Sequence, residues 1–257
     1  MTPVRWRWLQ SAPASGAEQM AVDAGLMARA RDTRESVFRV YEWSRPTLSF
    51  GRHEAVRGRF DRATLTARGY DAVRRPTGGR VLLHDGDVTY SVTAPTGSAE
   101  PMRAAFTRIN AVLADALHRL GIDAAPAIVT RRERSPGHDA CFAAPSAGEL
   151  VVADRKLVAS AQRQEGGALL QHGSILLVDR QRSLVDLAVT PMPTPAPAAT
   201  VEGALGRSVE RAEVYAALRA ALETAVGRAE PLAAGEAIDC SVPFVSKYAD
   251  SEWTWRR

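Results

Sequence analysis

The chain has 257 residues, of which 46% are hydrophobic and 24% are charged, and it carries a formal net charge of +4 at pH 7. These proportions exclude a disordered chain, a collagen-like fibre and a disulfide-bonded scaffold, and the length is sufficient for a core of full size. No apolar run reaches the roughly 18 residues that a membrane span needs. The first eight residues are too polar for a signal peptide, so we expect a cytoplasmic protein without a membrane partner.

Two residue types are scarce in this chain. Of its 33 basic residues only Lys156 and Lys247 are lysines, and its two cysteines are Cys141 and Cys240. A GC-rich coding background accounts for a general preference for arginine. Two cysteines in a reducing compartment are expected to be free thiols. The small positive charge favours an acidic partner but does not identify one.

The first third of the chain alternates helices and strands. Helices are predicted at residues 18–31, where Met20 and Met27 share one face, and at residues 60–68. Runs rich in β-branched and aromatic residues, separated by turn residues, predict strands at residues 36–43, 47–50, 71–75, 80–84 and 88–94.

The clearest helix follows at residues 102–120, where Phe106, Ile109, Leu113 and Leu117 are spaced by three and four. The remaining segments are predicted as a polar loop at 131–148, a hairpin of strands 149–152 and 156–162, a strand at 168–178, an extended proline-rich connector at 191–197, a helix at 211–226 and an aromatic tail ending at 253–257.

Runs of strands with helices between them predict an α+β fold of mostly antiparallel sheets flanked by helices. We expect a single domain over residues 1–257, with a core at about 18–228 followed by the aromatic C-terminal tail.

The segment Arg74-Arg75-Pro76-Thr77-Gly78-Gly79-Arg80-Val81-Leu82-Leu83-His84-Asp85 could bind a ligand. Paired glycines let backbone N–H groups approach a ligand closely, and arginine and threonine add donors for an anionic or carbonyl oxygen. A glycine turn with surface arginines explains the same residues equally well.

A second candidate segment starts at Lys156 and continues to the strand that contains Gln171-His172-Gly173-Ser174. If Lys156 opens a strand, period-two alternation places Val158 and Ser160 on its face. A solvated lysine at a hairpin is the alternative interpretation, which the scarcity of lysine weakens slightly.

Cys141 lies in the polar loop, a type of segment that often carries reactive groups. An inert, half-buried thiol is the more common state of a lone cysteine. Cys240, between Ile238 and Val242, has the character of a structural cysteine.

Other kinds of site lack support in the sequence. The five histidines do not show metal-ligand spacing, and His118 falls within a helix. The chain has no Walker loop, no dinucleotide fingerprint and no GxSxG elbow. The basic run at residues 131–134 lacks aromatic interleaving, which favours a solvated loop over a nucleic-acid site.

In their order along the chain, RRPTGGRVLLHD, the SAQ strand that begins at Lys156 and QHGSI resemble the biotin/lipoate protein ligase superfamily. The resemblance runs from Met20-Ala21-Val22-Asp23 to the C-terminal Trp253-Thr254-Trp255-Arg256-Arg257. The segment ACFAAPSAGEL, whose cysteine lies fifteen residues before Lys156, is similar to the cysteine-loop octanoyl-[acyl carrier protein]:protein N-octanoyltransferases of lipoate biosynthesis.

This resemblance implies the catalytic-domain fold of that superfamily and two catalytic residues. Cys141 would be the acyl-thioester nucleophile and Lys156 would tune its thiol and handle protons. The residues implied to bind the substrate are Arg74, Thr77, Gly78, Gly79, His84, Ser160, His172, Gly173 and Ser174.

The implied chemistry agrees with these residue types. Acyl transfer from a carrier thioester to a lysine amine proceeds well in two steps through an enzyme thioester. An ammonium about 4 Å from a thiol, at an effective dielectric constant of about 20, could lower the thiol pKa by up to about three units. No metal and no cofactor is then required, because the donor thioester is already activated.

The implied partners are octanoyl-acyl carrier protein as donor and a lipoyl-domain acceptor, either glycine cleavage H protein or a 2-oxoacid dehydrogenase E2. Three alternatives stay open. The first is a lipoyl or octanoyl amidotransferase between lipoyl-domain proteins, and the second is a lipoate-protein ligase that needs ATP and Mg²⁺. The third is a degenerate module that binds lipoyl domains or nucleic acid without catalysis.

Overall fold

The computed structural model describes residues 5–96, 101–128, 140–142 and 145–257. The strands are β1 (Trp6–Gln10), β2 (Ser36–Tyr41), β3 (Thr47–Phe50), β4 (Asp71–Arg74), β5 (Leu82–His84), β6 (Asp87–Pro95), β7 (Ala125–Pro126), β8 (Leu150–Val152), β9 (Arg155–Glu165), β10 (Ala168–Leu176) and β11 (Ala229–Pro231). The helices are α1 (Gly16–Thr33), α2 (Arg62–Ala67), α3 (Met102–Arg119), α4 (Leu184–Leu187), α5 (Val201–Leu205), α6 (Arg211–Val226), α7 (Ala234–Ala249) and α8 (Ser251–Trp255).

The strands form two sheets. The large sheet has the order β11-β1-β2-β6-β10-β9-β8-β7, and the small sheet has the order β4-β3-β5. Strand β1 pairs in parallel with β11 and β2, and β3 pairs in parallel with β4, whereas the remaining pairs are antiparallel. The predicted α+β class with mostly antiparallel sheets is confirmed.

The two faces of the large sheet differ in character. One face is apolar and packs against α3 and α6, in a core that includes Phe38, Val92, Leu113 and Leu218. The other face, which lies against α1, carries buried polar side chains on β2, β6 and β10. Alternation along each strand separates the two sets of side chains.

Local sequence explains where the central elements begin and turn. Helix α1 starts after Ser15, whose hydroxyl accepts from the backbone N–H of Glu18, while the Glu18 carboxylate accepts from the backbone N–H of Ser15. The predicted hairpin between β8 and β9 is present, and both Ala153 and Asp154 have positive φ, as its tight turn requires.

The prediction of a core ending near residue 228 was too narrow. Strands β1 and β11 join the large sheet, and helix α7 packs along α1, so both ends of the chain contribute buried side chains such as Leu9 and Tyr248. The predicted aromatic tail is the helix α8, and its Trp255 ring lies edge-on to Phe50 with centroids 5.4 Å apart.

The proline-rich connector is also more than an unpacked link. It has no helix or strand, as predicted, but Met192 within it and Ala198 and Ala199 directly after it are buried. The backbone N–H of Ala199 donates to the carbonyl oxygen of Lys156 at 3.0 Å. The connector therefore covers the start of β9. Most of the predicted polar loop at 131–148 lies outside the described residues.

Candidate active site

Cys141 lies between the two sheets. Its backbone N–H donates to the carbonyl oxygen of Val81 at 2.9 Å, which attaches this part of the loop to the segment after Gly78-Gly79. The side chain is partly buried and packs against a small apolar cluster, which consists of Leu82, Phe142, Ala159, Leu176 and Ala198. The thiol thus stands at the edge of an apolar region.

Lys156 is buried at the start of β9, where it joins this loop to the sheet. Its Nζ lies 2.7 Å from the carbonyl oxygen of Cys141 and 2.7 Å from Oε2 of Glu149. The Phe142 ring centroid lies 5.7 Å from the same nitrogen. The two residues predicted to be catalytic are therefore in contact, through the main chain of Cys141.

The pKa of the Cys141 thiol is raised, which differs from the lowering expected at the sequence level. Burial is the largest cause, and the positive charges of Lys156 and Arg75 lower the pKa, while the carboxylates of Glu149 and Glu54 raise it. The ammonium has the expected sign, since Lys156 lowers the thiol pKa, but the burial of the thiol and the carboxylates beside it, which the expectation did not include, outweigh this effect.

The predicted glycine turn lies next to Cys141 and is exposed at both Gly78 and Gly79. Gly79 has φ of +94°, which favours glycine. A Cβ atom on Gly51 would lie 1.8 Å from the carbonyl oxygen of Gly79, so the end of β3 runs directly beside this turn. The turn also has room for a ligand at Gly78, where an added Cβ would meet nothing within 4 Å.

Arg75 supports the glycine turn from inside. Its Nη2 donates to the carbonyl oxygens of Gly78 at 3.3 Å and Arg80 at 2.8 Å, and its Nη1 donates to Ser49 Oγ at 2.6 Å. The guanidinium is buried, which lowers its pKa from the ordinary value. The sequence alone does not distinguish this arginine from its neighbour Arg74.

Arg74, which was predicted to bind substrate, points elsewhere. Its guanidinium donates to the carbonyl oxygens of Gly51 at 2.7 Å, Glu54 at 2.8 Å and Thr254 at 2.9 Å. Burial lowers its pKa to about 10. Arg74 therefore connects the loop after β3 to helix α8, and its role in substrate binding stays a prediction that these contacts do not favour.

Thr77 and His172 are brought together by a buried chain of hydrogen bonds. Thr77 Oγ1 lies 2.6 Å from His172 Nε2, and His172 Nδ1 lies 3.0 Å from Oδ2 of Asp23. Asp23 also pairs with Arg39 at 2.7 Å. A carboxylate can only accept, so Nδ1 carries the proton and Nε2 accepts from the Thr77 hydroxyl. Burial lowers the pKa of His172 in spite of Asp23, so the ring is neutral.

His84 and Ser174 belong to a second chain of the same kind. His84 Nε2 lies 2.7 Å from Ser49 Oγ, and His84 Nδ1 lies 2.9 Å from Oδ2 of Asp87. The Ser174 hydroxyl donates to the same Asp87 oxygen at 2.6 Å. The ring of His84 stacks on Trp43 with centroids 4.1 Å apart. These side chains face the polar interior, between the two sheets.

Ser160 and Gly173 lie side by side on neighbouring strands, but they do not belong to the two chains of hydrogen bonds that contain His172 and His84. Ser160 Oγ lies 2.7 Å from the hydroxyl of Tyr90, whose side chain belongs to the core under α3 and α6. A Cβ atom on Gly173 would lie 2.2 Å from the carbonyl oxygen of Ala159 and 2.7 Å from the Tyr90 ring. Gly173 is therefore required for close strand packing, and the Ser160 hydroxyl does not face the Cys141 cluster.

The other cysteine and lysine lie in α7, away from this site. Burial raises the pKa of the Cys240 thiol. The Lys247 ammonium lies 4.2 Å from the centroid of the Trp253 ring. In the parts of the chain that the structure describes, no group of three or more histidine, cysteine or acidic residues could hold a metal ion. Within the same residues no helix is long and apolar enough to cross a membrane.

Sequence reasoning missed Glu149, Arg75, Asp23 and Asp87. A signal existed for Asp23, because it lies three residues after Met20 and four before Met27, on the predicted buried face of α1. For Glu149 the signal was weaker, since it only starts a predicted strand.

Comparison with known proteins identifies the family of this chain. Residues 15–223 match the lipoyl protein ligase A/B catalytic domain. The chain belongs to this family. It is 36% identical to Octanoyltransferase LipM of Kyrpidia tusciae, over 98% of this chain and 99% of the relative. It is 33% identical to Octanoyltransferase LipM of Bacillus subtilis, over 98% of each chain.

Solved structures of this family share the fold. A lipoate-protein ligase A bound with ATP superposes with a TM-score of 0.80 at 20% identity, covering 98% of this chain and 99% of the other. The lipoate protein ligase of a bi-partite system from Thermoplasma acidophilum superposes with a TM-score of 0.79 at 19% identity, covering 98% and 96%. The resemblance to the biotin/lipoate ligase superfamily is confirmed.

Proposed function

We propose that the protein is an octanoyltransferase of protein lipoylation. It moves an octanoyl group from the thioester of acyl carrier protein to a lysine amine of a lipoyl domain, through a thioester on Cys141. The octanoyltransferases that match over nearly the full length support this activity. The contact between Lys156 and the main chain of Cys141, at the edge of an apolar cluster, is the observation that carries the proposal.

Two transfer steps account for the reaction. In the first, the Cys141 sulfur bonds to the octanoyl carbon, the thiol proton leaves, and the carrier thiol departs with a proton. In the second, the lysine amine of the acceptor attacks the same carbon, loses a proton, and the bond to Cys141 breaks. In this proposal Lys156 passes these protons, because an amine can release a proton and an arginine cannot.

The segments around Cys141 divide the remaining tasks. The backbone N–H groups of Gly78 and Gly79 stabilise the negative charge that develops on the carbonyl oxygen. The apolar cluster beside Cys141 accepts the acyl chain, and burying about six methylenes would contribute roughly 5 kcal/mol, enough to select octanoyl over acetyl. Neither ATP nor a metal enters these steps, because the donor arrives as a thioester.

The acceptor is a lipoyl-domain protein, either glycine cleavage H protein or an E2 subunit. A structural relative supports this class of partner, since it is described as a lipoate protein ligase together with its E2 lipoyl domain. A cytoplasmic location is part of this proposal, because the reaction requires acyl carrier protein and the acceptor domains in one compartment.

The test is to incubate the protein with octanoyl-acyl carrier protein without ATP and to measure the mass of the intact chain. We expect an octanoyl adduct on Cys141 that a lipoyl domain then removes. The variant Cys141→Ala should lose the adduct and the transfer, and Cys240→Ala, the matched control, should keep both. Full transfer by Cys141→Ala would overturn the proposal. A requirement for ATP would indicate a ligase, and activity only with an octanoylated lipoyl-domain donor would indicate an amidotransferase.

A further inference from the structure

Charged side chains of both signs act on the pKa of the Cys141 thiol. Lys156 on β9 and Arg75 after β4 supply two positive charges, while Glu149 before β8 and Glu54 after β3 supply two negative charges. Burial is the largest cause of the raised pKa of this thiol.

Glu149 is the charged group that contacts Lys156 directly. Its side chain is 5% exposed, and its Oε2 accepts from Lys156 Nζ at 2.7 Å and from the backbone N–H of Ser146 at 2.6 Å. Its Oε1 accepts from the backbone N–H of Ser160 at 3.3 Å. Two main-chain donors from different segments fix this carboxylate, so it holds a set position against which the ammonium docks.

The ammonium of Lys156 is held at the same time by the carbonyl oxygen of Cys141 at 2.7 Å. A buried carboxylate that lies against an ammonium cancels most of the electrostatic effect of that ammonium on a third group. The effect of Lys156 on the Cys141 thiol is thus reduced by the carboxylate that Lys156 contacts.

We propose that Glu149 is a positioning residue that acts through Lys156: it fixes the ammonium on the main-chain carbonyl of Cys141 and keeps the thiol protonated in the free enzyme. The proposal rests on the proposed function only for the role of Cys141 as nucleophile. A thiol that stays protonated reacts slowly with oxidants and electrophiles, so this arrangement protects the nucleophile until a thioester substrate is bound.

The experiment measures the rate at which iodoacetamide alkylates Cys141 as a function of pH, in the full-length protein, by mass spectrometry of the peptide that contains Cys141. This readout requires no acyl transfer. In Glu149→Gln, Lys156 keeps its charge without a partner carboxylate. The midpoint of the pH profile, which reports the pKa of the Cys141 thiol, should therefore fall by about one pH unit, and alkylation at pH 7 should become about tenfold faster. The matched control Glu213→Gln, in an exposed ion pair with Arg207, should leave the profile unchanged.

A double-mutant cycle separates action through Lys156 from a direct effect. In a Lys156→Met background, Glu149→Gln should shift the midpoint by much less than in the parent. Equal shifts in both backgrounds would overturn the proposal. If Glu149→Gln does not fold, Glu149→Asp retains the charge on a shorter side chain, and we expect a smaller downward shift; an unchanged midpoint there would also overturn it.

The outcome for Glu149 can be told apart from the outcome for the proposed function. If Cys141→Ala abolishes octanoyl transfer while the alkylation profile ignores Glu149, the function stands and the positioning role fails. If the alkylation midpoint falls as expected but Cys141→Ala still transfers octanoyl groups, the positioning role stands and the proposed function fails.

Discussion

Among the buried polar groups in the described part of the chain are two chains in which a hydroxyl, a histidine and a carboxylate follow one another. The chains are Thr77–His172–Asp23 and Ser49–His84–Asp87. In each, the carboxylate accepts a hydrogen bond from the Nδ1–H of the histidine, and the buried Nε2 lone pair then needs a donor. The hydroxyl supplies that donor, so each chain is satisfied only as a unit.

Thr77→Val should therefore destabilise the protein more than the loss of one exposed hydroxyl would. The variant leaves His172 Nε2 buried without a donor, which costs about 1–3 kcal/mol of the free energy of unfolding. Urea denaturation measures this. The control is Thr107→Val on the exposed face of α3, where the hydroxyl donates only to the carbonyl oxygen of Arg103. Equal losses in the two variants would contradict the interpretation of the chain as a unit.

At the scale of residues, the sequence predicted that Cys141 and Lys156 would meet, and the structure places Lys156 Nζ 2.7 Å from the Cys141 carbonyl oxygen. The sequence could not tell Arg74 from Arg75. Strand β4 ends at Arg74, and the two neighbouring side chains then diverge, one toward α8 and one toward the glycine turn. Which arginine supports the turn depends on strand register, and that is a property of the folded pair of strands.

At the scale of elements, the packing of α7 on α1 is the part of the fold that could not be predicted from the sequence. Helix α7 buries Ala237, Ser241 and Tyr248, whereas its larger apolar residues Ile238 and Val242 are exposed. Apolar periodicity therefore points away from the contact. Pro243 within the helix lowers its predicted helicity further. The contact depends on close approach of backbones rather than on an apolar stripe.

Gly25 makes this close approach possible, so the change in stability on replacing it by alanine should have the opposite sign to the usual one. In an exposed helix, replacing glycine by alanine stabilises by up to about 1 kcal/mol. At Gly25 a Cβ would lie 2.3 Å from the carbonyl oxygen of Cys240 in α7, so Gly25→Ala should instead destabilise by about 1–3 kcal/mol.

Gly235→Ala is the matched control, since a Cβ added there meets nothing within 4 Å. It should be neutral or slightly stabilising. Thermal and urea unfolding of both variants tests the contact, and stabilisation by Gly25→Ala would show that α7 does not pack as described.

At the scale of the whole molecule, the order of strands and helices along the chain was largely predictable. The predicted strands match β2 to β6 and β8 to β10 within a few residues, because β-branched runs and glycine turns bound them. The arrangement of those strands in two sheets was not predictable, since it places β6 beside β10 across about eighty residues of chain. Nonlocal pairing of this kind is decided by the buried faces together.

The buried titrating groups of the polar interior make the stability of the whole molecule depend on pH. His172 has a lowered pKa because it is buried. Below the ordinary histidine pKa of about 6.5 the unfolded chain takes up a proton that the folded protein does not, so stability falls as the pH drops from there.

The pKa values of Asp23 and Asp87 are also lowered, by their histidine, arginine and hydroxyl partners against the opposing effect of burial. The stability that these carboxylates contribute is present above about pH 4 and is lost only below it, as the pH falls through their folded values.

Between pH ~8 and ~5, the free energy of unfolding should therefore decrease with falling pH, with His172 as a principal source. Urea titrations across this range measure the slope. In His172→Gln the slope should be clearly smaller, even though the variant is less stable at every pH because Asp23 and Thr77 lose their partner. In His118→Gln the slope should not change, because this side chain is half exposed on α3. A slope that His172→Gln leaves as steep as in the parent protein would mean that the imidazole is protonated in the folded state, and the direction of the Thr77 hydrogen bond would then have to be reversed.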